Sequence, residues 1–167
     1  MTKSTKISEK YLNLRSELWP NLDTTLLWDR KINDGFTTLP RGFPYVLAIM
    51  NDQSSGANLT ETYLGLWCRV FDQSVVTIQS QKEMAFEAGF RGQRAEQTWR
   101  IRMRKLEELG FIKSKSGVAG EFSHVLIMNP YIVIKDMNSN GKVKEELYNA
   151  LITRMEYIGA KDLKAKA

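Results

Sequence analysis

Arg94, Gln97, Ile101 and Arg104 recur at intervals of three and four residues. On a helix turning about 100° per residue, these side chains share one face. Gln93 and Arg100 flank them on one side, Thr98 and Lys105 on the other. Arginine can grip the O6 and N7 edge of guanine with two N–H groups, and glutamine can do the same to adenine. A helix N-terminus adds free N–H groups and the positive end of a dipole, both suited to phosphate. These residue types point to reading of a DNA major groove rather than to bond making or breaking.

The other chemistries are poorly supplied. Cys68 and His124 are the sole cysteine and histidine. A Cys/His zinc site needs about four ligands, and a Ser-His-Asp or Cys-His mechanism could use only His124. Walker-type glycine loops and paired nuclease carboxylates are absent from the sequence. Asp136 to Gly141 fits the start of an EF-hand loop, but Leu147 stands where the bidentate glutamate is required. A plain Asn-Gly turn is expected there. The expectation is therefore a binding protein with no enzymatic activity, no metal and no cofactor. Trp19, Trp28 and Trp67 are expected to anchor the core, with Cys68 as a small buried hydrophobe. Arg102 lies near the packing face and is expected to snorkel.

Charge location sharpens the reading. The chain of 167 residues carries a net charge of +5. Residues 91–120 hold eight of its 24 basic groups (Arg91, Arg94, Arg100, Arg102, Arg104, Lys105, Lys113, Lys115) and three of its 19 acidic ones. Sixteen of each sign remain for the rest, so the whole surplus sits in this window. A basic amphipathic helix alone is often only a solvated face; its company decides the matter.

That company is an ordered series of elements. Residues 3–16 read as a polar helix with a thin stripe of Ile7, Tyr11, Leu14 and Leu18. Residues 19–42 form a connector with breaker signals at Trp19-Pro20, Asp34-Gly35 and Pro40. Short helices are expected over 43–51 and 60–71, and a strand over 74–78. Ser80 and Glu83 fit a capping box that opens a helix ending at Gly89. A long helix spans 93–109, burying Ala95, Trp99, Met103 and Leu106, and stops at Gly110. Strands are expected over 111–116 and 124–128 around a tight loop at 117–120, with Tyr131 to Ile134 continuing or adding to the sheet. A turn at 138–141 and an amphipathic helix over 143–158 close the series. The tail 161–167 reads as frayed.

Residues 59–128 resemble a winged helix-turn-helix. The resemblance rests on Met84-Ala85, Gly89, Ala95 and Trp99, on Leu106-Glu107-Glu108-Leu109-Gly110-Phe111-Ile112 as the junction to the wing, and on the glycine loop between Lys115 and His124. The 93–109 helix starts about one turn earlier than is usual in that family. The fold class expected is α+β, mostly helical: a winged helix-turn-helix with additional N-terminal and C-terminal helices. The expected division is residues 1–42 as a helix and connector packing on the core, 43–135 as the DNA-binding domain, and 136–167 as a C-terminal helix. The resemblance implies binding of double-stranded DNA. Arg91, Gln93, Arg94, Gln97, Thr98, Arg100, Arg104 and Lys105 would serve on the helix, Lys113 and Lys115 on the wing.

Three roles stay open: a sequence-specific transcriptional regulator, a replication initiator of a plasmid or mobile element, or a protein-interaction module without DNA binding. The stretch Leu109 to Tyr131 is similar to the wing region of such initiators. The stripe of the last helix suits folding back or pairing, and two-fold DNA sites favour a homodimer through it. The longest apolar run, Tyr45 to Met50, is far short of a bilayer span, so no membrane partner is expected. Residues 1–10 carry no apolar stretch of a secretory signal, and a lone cysteine suits a reducing compartment. A cytoplasmic, nucleoid-associated protein is the corresponding expectation.

Overall fold

A computed structural model describes residues 3–164. The chain divides into two compact units, Met1–Phe36 and Thr37–Ala167. Within the first, α1 (Lys3–Leu18) is followed by a single 3-10 turn over Thr24–Leu26. Asp23 caps that turn by accepting from the Thr25 N–H at 3.0 Å and the Thr25 hydroxyl at 2.7 Å. Trp28 meets Phe36 edge-to-face at 5.7 Å. Trp19 and Trp28 are exposed, at 59% and 63%, rather than core anchors. The turns around them spend their hydrogen bonds locally and leave the indoles unburied.

The second unit runs α2 (Phe43–Asp52), α3 (Thr60–Arg69), β1 (Val75–Thr77), α4 (Gln81–Glu87), α5 (Ala95–Glu108), β2 (Ile112–Gly117), β3 (Gly120–Ile127), α6 (Pro130–Ser139) and α7 (Glu145–Tyr157). The described residues are thus α+β, with a small antiparallel sheet in the order β1-β3-β2. Val75 faces Leu126, and Lys113 faces that same leucine from the other side. Phe122, Val125 and Ile127 of β3 are buried in one core with Trp99, Met103 and Leu106 of α5, where Phe122 meets Trp99 edge-on at 5.8 Å. This is the expected inward stripe. Phe43 stacks on Tyr63, and Trp67 meets both rings edge-on. Trp67 is half-buried there, while Cys68 beside it is exposed and not the buried hydrophobe expected. One helical step carries Cys68 off the face that Trp67 and Tyr63 bury.

Several boundaries differ from expectation, each for a local reason. Helix α3 stops at Arg69 because Val70 turns extended, leaving Phe71 fully exposed. Helix α5 begins two residues late, since the Ala95 N–H closes a turn onto the Gly92 carbonyl at 3.2 Å. Gln93 and Arg94 therefore precede the helix. Tyr131 to Ile134 do not extend the sheet; they lie in α6. Asn129 caps that helix by accepting from the Tyr131 N–H at 3.0 Å, and Pro130 occupies its first turn. This local start overrides the β-branched run behind it. Asp136 to Ser139 are the last turn of α6, so the expected free-standing Asn-Gly turn is a helix end closed at Gly141. The tail beyond 164 lies outside the described residues.

The stripe of α7 is used within its own chain. Leu151 and Met155 are buried, and α7 packs on α2. Their contact is held close at Gly42, whose N–H donates to the buried Tyr131 hydroxyl at 3.0 Å. A Cβ there would meet that hydroxyl at 2.7 Å and Leu151 at 3.2 Å, so the site admits only glycine without a shift.

Candidate nucleic-acid interface

Helix α4 presents α5, and it is fixed at both ends. Ser80 accepts from the Glu83 N–H at 3.2 Å, which is half of the expected capping box. Glu83 does not return the bond but pairs with Arg69 of α3 at 3.0 Å. Arg69 also pairs with Glu87, so one guanidinium clamps α4 to α3 through two carboxylates. Those pairs hold Arg69 firmly protonated. At the far end, Arg91 lies over the Phe86 ring at 3.8 Å and donates to the carbonyls of Phe86 and Phe90, at 2.6 and 2.9 Å. Arg91, expected to contact DNA, is exposed and uses Nη1 alone on the turn.

Of the expected outward face, Gln97, Ile101 and Arg104 lie on α5, and Arg94 is its cap. Arg94, Gln97, Ile101 and Arg104 are exposed, while Thr98, Arg100 and Lys105 are half-buried on its flanks. Gln93 is exposed in the preceding turn. No side chain caps the first turn of α5, whose Ala95 N–H is taken by the Gly92 carbonyl and which carries Glu96. Among the described residues, Arg94 enters no ion pair. Arg102 is half-buried, with its Nε enclosed and without a partner among the described residues, where a snorkelling arm was expected.

Other cations are already engaged. Arg104 forms a two-armed pair with Glu121 of β3, Nε to Oε1 and Nη2 to Oε2, both at 2.7 Å. The Arg104 guanidinium holds the Glu121 carboxyl below the usual glutamate range, and the carboxyl in turn holds Arg104 protonated. Lys105 pairs with Glu108 one turn on, at 2.9 Å. Arg100 reaches the Gln81 amide oxygen at 3.4 Å. Lys113 and Lys115 are exposed on β2, opposite Leu126 and His124 of β3. His124 is exposed, on the outer face of the sheet.

The hairpin between β2 and β3 stands beside this helix. Gly117 pairs with Gly120, leaving Val118 and Ala119 as its tip. Val118 is fully exposed. Gln81, buried at the start of α4, donates its amide to the Ala119 carbonyl at 2.7 Å while its oxygen faces Arg100. One side chain thus ties the hairpin tip, α4 and α5 together. At the hairpin's outer edge, Glu107 of α5 accepts from the Ser114 N–H at 2.7 Å and its hydroxyl at 2.9 Å.

Gln81 and Glu121 are the two residues the sequence reading missed. Glu121 stands one position past the basic window, so counting charge to residue 120 left out the partner of Arg104. Gln81 had a signal, a polar residue directly after the Ser80 cap, but nothing in its spacing announces a tie to residue 119. Among the described residues, no group of three histidine, cysteine or acidic side chains gathers as a metal-ligand set, and no helix is long and apolar enough to cross a membrane. The chain matches no family model, no curated protein and no solved structure among those compared.

Proposed function

We propose that this chain binds duplex DNA through a winged helix-turn-helix spanning residues 59–128, and that it acts as a sequence-specific transcriptional regulator. One observation carries the reading. Arg94 at the cap of α5 and Gln97 and Arg104 on its outward face are exposed, and the β2–β3 hairpin is hydrogen-bonded into place alongside through Gln81 and Glu121. A helix flanked by a fixed hairpin suits a major groove with the hairpin against a neighbouring backbone. Gln93, Arg94, Gln97 and Thr98 lie where base edges would be read, and Lys113 and Lys115 suit phosphate. Arg91 and Arg100 flank that surface, and Lys105 is paired with Glu108. Because α7 spends its stripe on α2, a homodimer through that stripe is not part of the proposal.

The test is fluorescence anisotropy with labelled duplexes between 50 and 200 mM salt. Affinity should fall steeply with salt, and Arg94→Ala should weaken binding by about 1–3 kcal/mol if its guanidinium pairs with a base. Unchanged binding by Arg94→Ala would place the contact surface elsewhere. Selection of genomic fragments followed by footprinting then sorts the roles. Protection upstream of a promoter supports the regulator. Protection of repeated sites at an origin supports the initiator, the second reading, which the similarity of Leu109 to Tyr131 favours. No binding to any duplex at low salt turns the reading to a protein-interaction module.

A further inference from the structure

Resting on the DNA-binding reading, we propose that Glu121 is a built-in competitor for DNA phosphate, holding Arg104 occupied so that the protein grips any duplex backbone less tightly than its basic surface would allow. The geometry is specific. Both guanidinium arms of Arg104 are satisfied by both oxygens of Glu121. This is the same two-armed grip that arginine offers a phosphate. The pair is open to exchange, because the side chains are 56% and 42% exposed. Such pairs are weak and easily replaced in water.

Position says which DNA group Arg104 would take. It lies nine residues beyond Ala95, the first residue of α5 next to Arg94, or about 14 Å at 1.5 Å per helical residue. The major groove is about 12 Å wide. With Arg94 at base edges, Arg104 falls at the groove wall, where the phosphates run. Among the described residues, Arg94 in contrast enters no ion pair. The two ends of one helix face are thus treated differently: the base-reading end is left bare, and the phosphate end is masked. Phosphate contacts carry affinity without sequence information, so masking one lowers binding to all sequences alike and leaves base contacts a larger share of the total. When Arg104 turns to a phosphate, the Glu121 carboxylate is left facing that anion, which opposes the exchange.

The experiment uses the full chain, a labelled duplex of random sequence, and four proteins: parent, Glu121→Gln, Arg104→Ala and the double variant. The amide keeps the shape of Glu121 and removes its charge. Glu121→Gln should bind roughly tenfold tighter at 50 mM salt, with a slope of log affinity against log salt steeper by about 0.9, one phosphate contact. Arg104→Ala should leave the parent slope unchanged. The double variant should return to the parent slope. Thermal unfolding of each variant confirms that the hairpin remains folded. Equal or weaker binding by Glu121→Gln overturns the proposal while leaving the DNA reading intact, since the parent still binds. A gain that survives in the double variant also overturns it, because another group would then be the one unmasked. A parent that shows no salt-dependent binding refutes both.

Discussion

Substituting Gly120 by alanine tests whether the hairpin is locked to α4 as described. Gly120 has φ +100°, on the side of the backbone map that L side chains avoid. A methyl group there costs about 1–2 kcal/mol from backbone strain alone. The new Cβ also meets the Gln81 amide nitrogen at 3.0 Å. That nitrogen is the donor to the Ala119 carbonyl, and displacing it loses a hydrogen bond of about 1 kcal/mol. The two effects together predict a loss of about 2–3 kcal/mol, or a melting temperature lower by roughly 4–12 °C for a chain of this size. Urea unfolding of parent, Gly120→Ala, Gln81→Ala and the double variant separates them. In the Gln81→Ala background the clash is gone and only strain remains, so the cycle should show a coupling of about 1 kcal/mol. Additive losses would mean that Gln81 does not hold the tip. A Gly120→Ala protein as stable as the parent would refute the strained backbone as well.

Other consequences can be measured directly. Trp99 is fully buried against Phe122, so Trp99→Ala should cost about 3–5 kcal/mol in urea unfolding. Ser80→Ala removes the cap of α4 and should cost about 1 kcal/mol, with no change in the Arg69 pairs. The Glu121 carboxyl should titrate below the ordinary glutamate range by NMR and return to it in Arg104→Ala. Because its folded value is depressed, its contribution to stability is present at neutral pH and lost as acid protonates it. Burial pushes the Tyr63 hydroxyl up to about 12. The neutral phenol is favoured only in the folded chain, so stability should decline as pH rises from about 10 through 12, followed by the phenolate absorbance.

Periodicity made much of the second unit legible. Trp99, Met103 and Leu106 repeat at helical spacing, and their burial follows directly from it. The outward face followed by the same geometry. Ser80 and the element order around it were readable because caps and strands are short-range features. Ties between distant residues were not. The Gln81 bond to residue 119 depends on how a hairpin leans over a helix, and the Arg104 pair depends on strand register. Tyr131 to Ile134 misled because β-branched residues suit strands, while the decisive Asn129 and Pro130 stand just before them. Trp19 and Trp28 misled because large aromatic rings are usually buried.

The seating of α2 on α6 and α7 has a consequence for synthesis of the chain. Phe43 of α2 meets Tyr63 and Trp67 soon after synthesis, but Leu151 and Met155 of α7 are made about a hundred residues after Val46, Ile49 and Met50. At roughly 5–20 residues per second, the part of α2 that α7 covers waits on the order of 5–20 s. A holding chaperone has its natural foothold there, and slowed translation of the last two helices would lengthen the exposure.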